Sequence, residues 1–226
     1  MLYLEERLQL AKVGSVMVKK KLTNNAGGNI SMKVDEDEDY QYFIVSPKQA
    51  GQLKYWNLRP EEVLVLRKNK KTKVNEKLEG EGQFTRETAL HLNVFDQCPK
   101  VKSVIHSHPY ESMGFVTFED EIPLACENVM KFGRVPVLDF APATTPELAQ
   151  IVKEFLENNR DLSNLGAIAF CLRGHGIVVA SNGDLDITLD HLERLEYNSK
   201  AINDYAAYAI VKDKIILPEY EEVGNE

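Results

Sequence analysis

Cysteine is scarce in this 226-residue sequence: Cys98, Cys126 and Cys171 are the whole complement, and no C-x-x-C spacing joins them. An odd, dispersed set of thiols argues against a disulfide framework or a cysteine-built metal site, and it favours a reducing compartment. Long apolar runs are missing as well, and none approaches the roughly 20 residues of a membrane helix. Glu5 and Glu6 stand where a secretory signal would be basic and then apolar, so the expectation is a cytoplasmic protein without a membrane partner. Basic charge is in deficit, with 27 Lys and Arg against 35 Asp and Glu and a net charge of −8. A nucleic-acid binder would usually show a basic face, whereas an anionic small molecule needs only local positive charge. No Pro/Gly/Ser-rich linker, repeat or low-complexity segment divides the chain, and 43% hydrophobic residues suffice for an ample core. Residues 1–226 read as one domain.

The stretch around which the chain is organised is Gly80 to Pro109, GEGQFTRETALHLNVFDQCPKVKSVIHSHP. Val101, Val104 and Ile105 with Ser103 and Ser107 predict a strand, in which side chains alternate faces. His106 and His108 then project from one face, close enough to reach one cation. Upstream, Thr85 to Phe95 reads as a helix, with Thr85 as N-cap, Leu90, Val94 and Phe95 on an apolar stripe, and Glu87 in the first turn. A third histidine, His175, follows the apolar run Ala167 to Leu172 between Gly174 and Gly176, which let the backbone turn tightly. Three imidazoles on rigid strands beside a carboxylate, with a position open to water or substrate, suit a catalytic zinc ion. His-x-His alone is a modest signal, often no more than polar residues at a strand end. His191, inside a long helix, reads as structural, and His91, one turn after Glu87, as a packing residue.

Elsewhere the pattern predicts an amphipathic helix from Leu2 to about Leu22, with Leu4, Leu8, Ala11 and Ser15 on one face. Strands are expected at Ile30–Val34, Tyr40–Val45, Val63–Leu66, Val135–Leu138, Ala167–Leu172 and Ile177–Ala180. Asp35 to Asp39 reads as a solvated hairpin turn, Arg67 to Lys73 as a basic turn, and Trp56 as core or interface. Further helices are expected at Tyr110–Phe118, opened by Pro109, at Pro146–Glu157, with Thr144 and Thr145 as candidate caps, and from Asp184 to about Tyr208. Irregular alternation with early hairpins suits a mixed sheet covered by helices. The loop at Asn24, Asn25, Gly27 and Gly28 can present backbone N–H groups to an anion, although from the residues alone a plain helix stop before a strand is the better reading.

Five motifs in order, GGNIS at Gly27–Ser31, SP at Ser46 and Pro47, the Thr-Arg-Glu helix start, VIHSHP and RGHGIVVA, resemble the class II aldolase/adducin family. That family includes L-fuculose-1-phosphate aldolase, L-ribulose-5-phosphate 4-epimerase and methylthioribulose-1-phosphate dehydratase. The resemblance covers nearly the whole chain and implies a three-layer α/β/α fold around a mixed, largely antiparallel sheet. It implies a homotetramer with active sites between subunits, and one zinc ion per chain on His106, His108 and His175. Glu87 would be the fourth ligand at rest and the general base once substrate displaces it. Gly28, Asn29, Ser46, Lys48, Thr85 and Arg86 would hold an anionic substrate.

Three positions depart from the aldolase pattern. Thr85 and Arg86 replace a Ser-Ser pair, Lys48 and Gln49 replace a small residue and glycine, and Glu127 stands where a neighbouring subunit's tyrosine would act. Glu127 resembles the acid/base glutamate of the dehydratase branch. The expected activity is therefore a zinc-dependent lyase acting on a phosphorylated ketose or similar anionic hydroxy-carbonyl compound through enediolate chemistry, with dehydration as the alternative to C–C cleavage. A non-catalytic adducin-like scaffold is disfavoured, because adducin heads lack the metal histidines. Tyr220 resembles a tail tyrosine that reaches the aldolase active site, though a packed or disordered tail explains it too.

Overall fold

The computed structural model describes residues 1–25, 27–85, 87–159 and 165–212. Its helices are α1 (Leu4–Lys19), α2 (Ala50–Lys54), α3 (Thr88–Gln97), α4 (Met113–Phe118), α5 (Pro146–Asn158) and α6 (Leu185–Val211). The strands are β1 (Asn29–Glu36), β2 (Tyr40–Val45), β3 (Leu64–Asn69), β4 (Asn75–Glu79), β5 (Ser103–Ser107), β6 (Val137–Leu138), β7 (Ala167–Leu172) and β8 (Gly176–Ser181). They form one sheet in the order β4-β3-β2-β1-β5-β8-β7-β6. Every neighbouring pair is antiparallel except β6 with β7.

Period-two alternation decides which layer each residue joins. Ile44, Ile105, Ala169, Cys171, Ile177 and Val179 pack with Leu10, Val13 and Met17 of α1 and Leu185, Leu192 and Leu195 of α6. Their neighbours Phe43, Val45, Val104, Phe170 and Val178 pack on the opposite face with Leu90, Val94 and Phe95 of α3 and Leu148, Val152 and Leu156 of α5. The sheet is thus the middle of an α/β/α sandwich, and its central strands are buried on both faces. His106 and His108, in phase with Val104, belong to the α3 side. Thr145 and Asp184 cap α5 and α6 by accepting from Leu148 N–H and Ile187 N–H, contacts worth about 1 kcal/mol each.

Several expectations are corrected. Helix α1 buries Arg7, Leu10, Val13, Gly14 and Met17, not the Leu4/Leu8 face, whose leucines are 46% and 50% exposed. Two inward groups set that rotation. Arg7 donates to Glu79 at 2.7 Å, and at Gly14 the Trp56 ring leaves no room, since a Cβ would lie 2.3 Å from it. The stretch read as a basic turn begins as strand β3, and β4 escaped notice because NEKLE is a charged edge strand with one apolar residue. Helix α3 starts at Thr88, so Thr85 does not cap it. The helix after His108 starts only at Met113, because the buried Glu196 carboxylate draws the Glu111 and Ser112 N–H groups into a turn at 2.6 and 3.1 Å.

Candidate active site

The β1–β5 register sets Asn29 opposite His106, and the β5–β8 register sets Val178 opposite His106 on its other side. His175 lies in the tight β7–β8 turn, its N–H donating to Leu172 O at 2.9 Å and its neighbour Gly174 at φ 65°. Strand ends and turn therefore bring the three histidines together, although 67 positions separate His108 from His175 in the chain. Their ring centroids are 5.0, 4.8 and 5.0 Å apart, and one nitrogen from each lies within 4.8 Å of the others. Glycine makes the approach possible. A Cβ on Gly27 would lie 2.0 Å from His108 Nδ1, and one on Gly176 would lie 2.4 Å from Ser107 O and 2.7 Å from the His108 ring.

Glu87, just before α3, completes the cluster, with Oε2 3.4 Å from His106 Nε2 and Oε1 3.4 Å from His175 Nε2. Asn29 Nδ2 donates to Glu87 Oε2 at 2.6 Å. His106 Nδ1 faces the Ile177 carbonyl at 3.1 Å. That carbonyl only accepts, so the proton sits on Nδ1 and the Nε2 lone pair turns into the cluster, the form in which histidine ligates metals. Burial pushes His106 down to about 4, and burial with the neighbouring His106 and His175 pushes His108 down to about 3. Burial would raise the Glu87 carboxyl, but His106, the Asn29 amide and His175 outweigh it and hold the group well below the usual carboxylate range. At neutral pH His106 and His108 are neutral imidazoles beside an ionised Glu87, and with the His175 ring they make a donor set that fits a divalent cation.

The same burial makes a prediction for protein stripped of metal. An unfolded-chain imidazole takes up a proton near 6.5, whereas the fully buried His91 and His106 do so only near 4. Between these pH values the unfolded chain binds more protons, so stability falls as pH is lowered. Each group contributes about 3 kcal/mol to the drop. Urea unfolding of the stripped protein from pH 7 to pH 4 checks this, and a flat profile would refute it.

A cleft of about 190 Å³ opens over the cluster and is bordered by Gly28, Asn29, Lys48 and Thr85 as well as Glu87, His108 and His175. Ser46 is not on its wall: the residue is fully buried and its hydroxyl accepts from Ile30 N–H at 3.0 Å, closing the β1–β2 ladder. Arg86 and Tyr220 lie outside the described residues. Glu127 opens a 3₁₀ turn, Glu127–Phe132, and is exposed away from the cleft. The cleft also takes in Gln49, Gln52 and Thr144, to which the sequence reading gave no such place. Gln49 and Thr144 have φ of 60° and 67°, a left-handed backbone that nothing in their residue type announces.

The family model for the class II aldolase and adducin N-terminal domain matches residues 8–202. The chain belongs to the class II aldolase/adducin family. A 5-deoxy-D-ribulose 1-phosphate aldolase of Bacillus thuringiensis serovar kurstaki is 25% identical over 221 residues, spanning 98% of this chain and 93% of the relative. A 3-oxo-tetronate 4-phosphate decarboxylase of Escherichia coli is 24% identical over 202 residues, spanning 87% and 85%. Among solved structures, an L-fuculose 1-phosphate aldolase superposes with TM-score 0.72 at 21% identity, covering 97% of this chain and 93% of the other. That last likeness is one of fold, and it matches the eight-stranded mixed sheet described above. These relatives are enzymes, and this class II aldolase-family chain carries the three-histidine cluster on which metal-dependent chemistry in such a fold can rest. No helix among the described residues is long and apolar enough to cross a membrane.

Proposed function

We propose that this chain is a zinc-dependent lyase of the class II aldolase type, cleaving a C–C bond in a phosphorylated ketose or similar anionic hydroxy-carbonyl compound. The observation that carries the reading is the convergence of three imidazoles and a carboxylate at the floor of a cleft. His106, His108 and His175 would hold one zinc ion, a cation that three imidazoles with a position left open suit. Zinc bound there supplies Lewis acidity to a substrate carbonyl oxygen.

The protein's own groups divide the remaining work. Lys48 and Thr85 on the cleft wall, with Gly28, orient the anionic end of the substrate; Asn29 borders the same space with its amide committed to Glu87. In cleavage the ionised Glu87 takes the proton from the hydroxyl beyond the scissile bond, and the C–C bond breaks to release an aldehyde. The protonated Glu87 then returns that proton to the carbon left behind. Glu87 is the group we assign to that carbon, as base in the condensation direction and acid in the cleavage direction. Glu127, exposed outside its own cleft, is assigned to the cleft of a neighbouring copy in a homotetramer. The exposed end of α6, with Tyr205, Tyr208 and Ile210 at 67%, 51% and 75% exposure, supports contact between copies. Free thiols at Cys98, Cys126 and Cys171 support a cytoplasmic location, and the continuous sheet supports one domain.

Dehydration is the second reading, favoured by the carboxylate at Glu127. A panel of ketose phosphates and their unphosphorylated counterparts separates the two. The expected result is aldehyde release from phosphorylated substrates alone; water loss without aldehyde selects dehydration, and no turnover by zinc-loaded enzyme on any of them counts against the lyase.

A further inference from the structure

Glu87 stands where helices fray. It precedes the first residue of α3, and among the described residues its own N–H finds only Thr85 Oγ1, at 3.4 Å. Helix ends of this kind do not fix a side chain to a few tenths of an ångström unaided. We propose that His91 and Ser31 are positioning residues that set the reach of the Glu87 carboxylate to the histidine cluster; this rests on the role for Glu87 proposed above.

Two rungs join α3 to β1. Asn29 Nδ2 donates to Glu87 Oε2 at 2.6 Å, and Ser31 Oγ shares a hydrogen bond with His91 Nδ1, also at 2.6 Å. Asn29 and Ser31 are two apart on a strand and so share a face, while Glu87 and His91 are one helical turn apart. All four are buried, at 5%, 1%, 9% and 1% exposure. His91 also donates its backbone N–H to Glu87 O at 3.2 Å. One residue thus grips the Glu87 backbone and β1 at once. Because β1 is paired to β5 with Asn29 opposite His106 and Ser31 opposite Val104, the strand that carries the clamp also carries the register of the metal-site histidine. With one rung the helix start can pivot about Asn29; the second rung removes that freedom.

Packing alone does not call for histidine here. His91 Nε2 is buried and has no hydrogen-bond partner among the described residues, whereas an apolar side chain would fill the space without orphaning a ring nitrogen. The contact that does call for it is the one to Ser31.

The test uses the full chain loaded with Co²⁺ in place of zinc, comparing His91→Ala, Ser31→Ala, their double variant and His91→Asn. The visible spectrum and cleavage kinetics are both read per bound metal. About one Co²⁺ per chain should bind throughout, as the three imidazoles are untouched. His91→Ala and Ser31→Ala should shift the cobalt spectrum alike and lower kcat about 10-fold or more at near-constant KM, given that misplacement by ~1 Å costs up to about 10²-fold. The double variant should be no worse than either single one, and His91→Asn, which keeps a polar atom near the Nδ1 position, should recover much of the loss. Spectra and kcat at wild-type values, with only a lower Tm, would overturn the inference; Ser31→Ala and His91→Asn decide it if His91→Ala fails to fold. A wild-type protein that binds no cobalt overturns the metal-site reading itself, and this inference with it.

Discussion

Glu87→Gln is expected to lower kcat by roughly 10²–10⁴-fold while leaving the fold and the bound metal in place. The amide is nearly the size of the carboxylate and can still accept from Asn29 Nδ2, which now lies 2.6 Å from Oε2, so geometry is preserved and only proton transfer is lost. The deficit corresponds to about 3–5 kcal/mol of barrier. Circular dichroism and metal content, measured beside the rate on whichever ketose phosphate the panel identifies, separate this from misfolding. Near-normal turnover would remove Glu87 from the chemistry.

His106→Ala should abolish both metal retention and turnover. Protein purified without chelators should carry about one zinc per chain, and the variant none after dialysis. The effect is large because His106 is fully buried at the junction of β5 with β1 and β8, where water cannot easily replace the missing ligand. Metal binding to a folded site also stabilises it, by about 2.7 kcal/mol at a zinc concentration 100 times Kd. Added zinc should therefore raise the wild-type Tm and leave that of His106→Ala where it was. Full zinc occupancy in the variant would sink the three-histidine site.

What could be read from the chain before its structure follows a physical pattern. β2 and β7 have the bounds their apolar residues predict, Tyr40–Val45 and Ala167–Leu172, because burial of all of β7 and of Phe43 to Val45 in β2 leaves a strong composition signal. The His-x-His spacing says that two imidazoles share a face; that His175 meets them depends on β8 pairing with β5, a long-range contact no local pattern encodes. On α1, Leu4 and Leu8 look more core-like than Arg7 and Gly14, and only the partners Glu79 and Trp56 reverse that order. Ser46 looked like a ligand contact beside Pro47, whereas its hydroxyl serves the ladder. Gln49 and Thr144 were missed as cleft residues because their left-handed backbone is imposed by the surrounding structure.

Strand β5 lies at the middle of the sheet, with four strands on its β4 side and three on its β6 side, and β8 is its inner neighbour. Amide hydrogens there should be among the last to exchange with deuterated solvent, since opening begins at margins such as β4 and β6 and reaches the centre only with global unfolding. His106 on β5 and His108 just past its end are thereby insulated from breathing at the rim, and so is the β8 backbone that follows His175. A protease that nicks the β3–β4 tip need not disturb the three-histidine cluster.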